Sequence, residues 1–194
     1  MQISEMERRR QAVARVAADL IAREGREAAT VRRIAEELGC STTMITHYFD
    51  DKDEVLSLAY LHIAEQGRDR FLQTIEGPAV DLLEVLLSMT IYDEESLRRW
   101  RVYMAFWERA SHDPVFAEVQ REWTEKTQED ISRVICQCYG QREEAPGIAQ
   151  QLIALVHGIS LQTLFGETSW SSARTRSVLG GEIQSLLGPR KKSQ

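Results

Sequence analysis

Apolar positions recur along this chain at helical spacing, with little sign of the alternation that would mark a strand. Val13, Val16, Ala17, Leu20 and Ile21 keep that spacing up to Gly25. Val31, Ile34, Ala35 and Leu38 follow at i, i+3, i+4 and i+7, so they share one face that must pack inward. Gly39 interrupts the pattern, and Ile45, Tyr48 and Phe49 resume it. Gly39 can take the left-handed conformation that ends a helix, and Ser41 can accept hydrogen bonds from the free N–H groups opening the next. Two short amphipathic helices joined in this way read as a helix-turn-helix, and the longer helix before them makes a three-helix unit.

Punctuation divides the rest into further helices. The run Asp51, Lys52, Asp53, Glu54 has the spacing of an aspartate-led cap, and its helix should continue to Glu76 before Gly77 and Pro78 break it. Pro78 suits a first helical position, ahead of Leu82, Leu83, Val85, Leu86 and Met89, an almost uniformly apolar segment expected to be enclosed. Asp93, Glu94 and Glu95 place acids at the start of another helix, where the dipole favours them. Asp113 and Pro114 introduce a long helix that should reach about Tyr139. From Pro146 to Phe165, Leu152, Leu155, Val156 and Ile159 share one face while Ile153, Leu161 and Leu164 point elsewhere. Such a helix must be covered on more than one side, either by its own core or by a second subunit. A last helix carries Val178, Leu179, Ile183, Leu186 and Leu187. The expectation is an all-α chain of about nine helices, with a helix-turn-helix domain at 1–49 and a larger helical domain at 50–194.

With 194 residues, 43% of them hydrophobic, the chain can bury a core without disulfides or metal. Three cysteines cannot all pair internally, and no signal peptide or long apolar run is visible, so a reducing cytoplasm is the expected setting, with no membrane partner. Cys136 and Cys138 have no matching cluster of His or Cys, so neither a metal nor a cofactor is expected. The net charge of −6 is unevenly spread: the first thirty-three residues hold eight arginines against five acids. A mildly basic end on an acidic body suits modest, salt-sensitive binding to nucleic acid.

The outward face of the second short helix is Thr42, Thr43, Thr46 and His47. Short hydroxylated side chains suit the major groove, where the hydroxyl meets base edges or phosphates and the methyl meets thymine. Packed helix pairs of this kind also occur in proteins that never meet DNA, but here Arg8, Arg9 and Arg10 lead into the unit.

Around these residues the chain resembles the TetR/AcrR family of bacterial transcription regulators. Thr30 and the Ile34–Ala35 pair, then Gly39, Cys40 and Ser41, then Tyr48 and Phe49 followed by Lys52, match the family's pattern. Cys40 replaces the usual valine, Thr43 a common glycine and Thr46 a usual tyrosine, so no operator sequence carries over. The Thr46-His47-Tyr48-Phe49 ending and the segment 149–158 are similar to the BetI-like branch. The resemblance implies a homodimeric repressor that binds a palindromic double-stranded operator and is released by a small-molecule inducer, here unidentified. It implies base contacts for Arg32, Thr42, Thr43 and Thr46, phosphate contacts for Thr30, Tyr48 and Lys52, and one or the other for His47. Lys52 at a helix start opposes the dipole, which a phosphate contact would explain. The dimer contact it implies involves Leu152, Leu155, Val156, Ile159, Thr163, Val178 and Ile183.

Trp100, Tyr103, Met104 and Trp107 lie at i, i+3, i+4 and i+7, and Phe116, Val119 and Trp123 form a similar stripe. Plain core packing produces the same pattern. The resemblance makes Met89, Trp100, Tyr103, Trp107, Phe116 and Trp123 inducer-facing candidates, able to stack a flat ligand or cage a quaternary ammonium group. An enzyme is disfavoured: there is no zinc-binding His-Glu-x-x-His, no phosphate-cradling glycine loop and no nucleophile beside a base. His62 and His157 lie in apolar helices and read as core histidines. The competing reading is a helical dimeric adaptor, or a ligand-binding protein, that does not bind DNA.

Overall fold

A computed structural model describes residues 4–46, 51–75, 80–166 and 170–189. Among them are nine α-helices, one 3-10 turn and no strand, as the hydrophobic spacing predicts. Most helix starts are set by a side-chain cap. The Ser4 hydroxyl accepts from the Glu7 N–H at 3.1 Å and opens α1 (Glu5–Glu24). After the 3-10 turn Arg26–Ala28, the Thr30 hydroxyl accepts from the Arg33 N–H at 3.2 Å and opens α2 (Val31–Leu38). Gly39 ends α2 at φ 63 and ψ 35, left-handed as expected. The Gly39 and Cys40 N–H groups then return to the carbonyls of Glu36 and Ala35 at 3.2 and 3.0 Å. Ser41 accepts from the Met44 N–H at 3.3 Å at the head of α3 (Thr42–Thr46).

Asp51 accepts from the Glu54 N–H at 2.8 Å and begins α4 (Lys52–Ile75). The next helix, α5 (Leu82–Met89), is capped by Asp81, whose Oδ1 takes the N–H groups of Leu83 at 2.8 Å and Glu84 at 3.4 Å. It therefore starts later than Pro78 suggests, because proline merely tolerates a helix start whereas the carboxylate satisfies two orphan donors. Glu76 and Pro78 lie outside the described residues. Asp93 caps α6 (Glu94–Ala110) through the Ser96 N–H at 2.7 Å, and Asp113 caps α7 (Pro114–Tyr139) through the Val115 N–H at 2.8 Å. α8 (Ala145–Leu164) has Pro146 in its first turn, and Ser171 caps α9 (Ser172–Leu187).

These helices divide into two compact units: Met1–Gly67 with Arg98–Glu118, and Arg68–Leu97 with Val119–Gln194. In the first, Val13, Ala17, Leu20 and Ile21 of α1, Ile34 and Ala35 of α2, Ile45 of α3 and Val55, Leu56 and Ala59 of α4 are buried. In the second, α5 packs against both α8 and α9. Its core joins Phe71, Leu82, Val85, Leu86, Ile131, Ile135, Leu152, Val156, Ile159, Leu179 and Ile183. The sequence-based division at 49/50 falls among residues outside the described set. No helix among the described residues is long and apolar enough to cross a membrane, and none of their His, Cys, Asp and Glu side chains group into a metal site.

Candidate nucleic-acid interface and aromatic cluster

Ile45 is the anchor of α3. It is 1% exposed, while Thr42, Thr43 and Thr46 on the same short helix are exposed. One buried residue thus fixes which way three hydroxyl-bearing residues face. The Thr46 hydroxyl donates to the Thr43 carbonyl at 3.2 Å, leaving its oxygen lone pairs outward. Thr30 is exposed at the head of α2; accepting the Arg33 N–H leaves its own O–H available as a donor. Arg32, in the first turn of α2, has an 83% exposed side chain paired with Glu36 at 2.9 Å. His47 and Tyr48 lie outside the described residues; Lys52 is the first residue of α4, and its side chain also lies outside them.

Ion pairs hold the three-helix unit around this ridge. Arg33 meets Glu24 through two nitrogens at 3.1 and 2.8 Å, an arrangement that lowers the Glu24 carboxyl pKa and raises that of Arg33. Arg23 reaches Glu37 at 2.8 Å, and Arg10 reaches Glu54 of α4 at 3.2 Å. Two residues that sequence reasoning passed over tie α6 into the same unit. Arg101 donates to the Ala22 carbonyl near the end of α1 at 3.1 Å. Arg109 donates to Asp53 Oδ2 from Nε and Nη2 at 3.0 and 2.7 Å, pairs with Asp113 at 2.7 Å, and lies 5.1 Å from the ring centre of Phe116. The first turn of α4, which follows α3 in the chain, is thereby held by the end of α6. No local signal announces a pairing between residues 53 and 109.

The aromatic stripe of α6 does assemble. Trp100 and Trp107 meet edge to face with centroids 5.6 Å apart and planes at 86°, and Tyr103 stacks on Trp107 at 6.2 Å and meets the edge of Trp100 at 5.8 Å. Trp100 is buried; Tyr103 and Trp107 are half-buried. Phe116 joins through Phe106, at 5.1 Å, and Phe106 stacks on Tyr60 of α4 at 3.7 Å. Neither Phe106 nor Tyr60 stood out in the sequence, although Phe106 is three residues from Tyr103 and so shares part of its face. Burial pushes the Tyr103 phenol up to about 12, against the opposing pull of the Arg99 guanidinium, and raises Tyr60 as well. Both phenols stay protonated near neutral pH. Met89 and Trp123 belong to the other compact unit, where Met89 packs against the core and Trp123 carries Lys126 Nζ at 5.2 Å from its ring centre.

The residues expected at a subunit contact separate into two groups by burial. Leu152, Val156, Ile159 and Ile183 are sealed in the core of a single protomer and face no surface. Leu155, Thr163 and Val178 are half-buried, and the Thr163 hydroxyl donates to the Ile159 carbonyl at 2.9 Å. The reason is that α8 is apolar on more than one side, and it packs against α5 and α9 of the same chain, with Leu152 and Val156 in their common core. The outward side of α8 runs through Gln151, Ala154 and Gln162, with Phe165 just beyond the helix 76% exposed. His157 is half-buried, and burial pushes its pKa down to about 4; His62, beside Gln66 at 3.0 Å, is also lowered by burial.

Comparison with known proteins agrees with this arrangement. The family description "Bacterial regulatory proteins, tetR family" matches residues 14–59, and "BetI-type transcriptional repressor, C-terminal" matches residues 78–188. The HTH-type transcriptional regulator PksA of Bacillus subtilis (strain 168) is 27% identical over 192 residues, covering 93% of this chain and 90% of that protein. The regulator BetI of Escherichia coli (strain K12) is 26% identical over 161 residues, covering 79% and 81%. A transcriptional regulator from Rhodococcus sp. Rha1 has a similar fold, with TM-score 0.81 and 24% identity, over 95% of this chain and 99% of that one. A protein from Saccharomonospora viridis, described as a transcriptional regulator in complex with choline, matches with TM-score 0.81 and 22% identity over the same shares. With a helix-turn-helix at one end and the BetI-type region spanning more than half its length, the chain belongs to the TetR family of bacterial regulatory proteins and is a transcriptional regulator, not an enzyme.

Proposed function

We propose that this chain represses transcription by binding a palindromic operator as a homodimer, and that a small-molecule inducer releases it. The observation that carries the reading is the exposed ridge of Thr42, Thr43 and Thr46 above buried Ile45. In the major groove these residues and Arg32 contact base edges, while Thr30, Tyr48 and Lys52 contact phosphates and His47 contacts one or the other. One short helix spans too few base pairs to be selective, so two copies read half-sites ~34–36 Å apart. The second copy docks on the outward faces of α8 and α9, through Leu155, Thr163 and Val178 together with Ala154 and Phe165. Leu152, Val156, Ile159 and Ile183 support that face from within.

The inducer contacts the cluster of Trp100, Tyr103, Trp107 and Phe116. That cluster shares a compact unit with the reading helices, and Arg109 on the same helix grips Asp53. A ligand that prefers one arrangement of α6 therefore shifts DNA affinity by reciprocal linkage. The choline in the S. viridis structure makes quaternary ammonium compounds the first ligands to test, by quenching of tryptophan fluorescence.

Binding to DNA from upstream of the protein's own gene, measured by electrophoretic shift at several salt concentrations, tests the reading. Replacing Thr42 and Thr46 with alanine should weaken cognate DNA by about tenfold and leave random DNA nearly unchanged. Lys52→Ala should weaken both and reduce the salt slope by about one. Equal losses on both DNAs for the threonine pair would overturn the base-reading role. A wild-type protein with no sequence-dependent complex would favour the adaptor reading.

A further inference from the structure

Arg9 lies early in α1, yet the fold brings it to the reading helix. Its Nη1 is 3.1 Å from Met44 Sδ of α3, and its Nε donates to Glu5 Oε1 at 3.0 Å. Met44 sits between Thr43 and Ile45, so the guanidinium borders the exposed threonine ridge. A thioether is a weak, neutral acceptor. The pair with Glu5 joins side chains that are 45% and 67% exposed, the class of ion pair that contributes least to stability. Arg8, itself 65% exposed, approaches the same carboxylate at 3.9 Å. A single glutamate thus engages two arginines at the edge of the ridge.

We propose that Arg9 contacts a DNA phosphate flanking α3, and that Glu5 is its intramolecular competitor, exchanged for a phosphodiester oxygen when DNA binds. The proposal rests on the reading of α3 as the DNA-facing helix. The guanidinium fork matches two phosphate oxygens, and the duplex offers a denser line of negative charge than one solvated carboxylate. Glu5, once released, remains in the first turn of α1, where the helix dipole favours an acid, so the exchange leaves no stranded charge. Arg10, one residue on, is directed to Glu54 of α4 and ties the helices together instead.

Fluorescence anisotropy of full-length protein on operator and random duplexes, across a range of salt, tests this. Arg9→Ala should weaken both duplexes by about three- to tenfold and lower the salt slope by about one, and Arg9→Lys should restore part of the loss. Glu5→Gln should do the opposite, tightening both by about two- to threefold, a sign that a merely structural ion pair would not produce. If the threonine variants alter operator preference while Arg9→Ala and Glu5→Gln leave affinity and slope unchanged, the proposal is overturned and the reading of α3 stands. Weakening by Glu5→Gln also overturns it. A wild-type protein that binds no DNA overturns both.

Discussion

Gly39→Ala should destabilise the protein and Gly147→Ala should stabilise it, although neither added methyl group meets another atom within 4 Å. The difference lies in the backbone alone. Gly39 holds φ 63, where an L-residue costs about 1–2 kcal/mol because Cβ crowds its own carbonyl. Alanine also narrows the unfolded ensemble, which returns about 0.4–1 kcal/mol, leaving a net loss of about 1 kcal/mol. Gly147 is exposed inside the first turn of α8, where exchanging glycine for alanine gains about 0.5–1 kcal/mol. Thermal unfolding followed by circular dichroism should show midpoints moving in opposite directions by roughly 2–4 °C. Gly39→Asn should fall between wild type and Gly39→Ala, since asparagine tolerates the left-handed region. Shifts of the same sign for Gly39→Ala and Gly147→Ala would refute the reasoning, because space around the two sites is equivalent and only φ differs.

Phe165→Arg should dissociate the proposed dimer while preserving helical circular dichroism, whereas Val156→Arg should unfold the chain, because Val156 is sealed in the core. A Phe165→Arg protein that sediments like wild type places the contact elsewhere. Stability should fall as pH drops from about 6.5 toward 4. His157 titrates at about 4 when folded and near the ordinary histidine value of 6.5 when unfolded, so the unfolded chain binds the extra proton within that window. The loss is of order 3 kcal/mol below pH 4. Denaturant midpoints for His157→Gln should be flatter across this range, and an unchanged slope would show that His157 is not the titrating group.

What the chain announced locally, the structure repeats. The caps at Ser41, Asp51 and Asp113 and the left-handed Gly39 are legible because each bond joins residues only a few positions apart. The inward face of α2 and the buried Ile45 are legible because helical period alone assigns them, and the threonine ridge follows as their complement. The stripe of Trp100, Tyr103 and Trp107 assembles for the same reason, since all three lie on one face of one helix.

Only the tertiary structure decided which partner covers an apolar face. Periodicity shows that α8 must be enclosed on several sides, but it does not distinguish a neighbour in the same chain from one in another; here Leu152, Val156 and Ile159 join a core shared with other helices of the same chain. The same holds for Arg109 with Asp53, Phe106 with Tyr60, and Arg9 with Met44. Their sequence separations exceed any helical repeat, so the pairing depends on how whole helices pack, and no residue pattern within either segment encodes it.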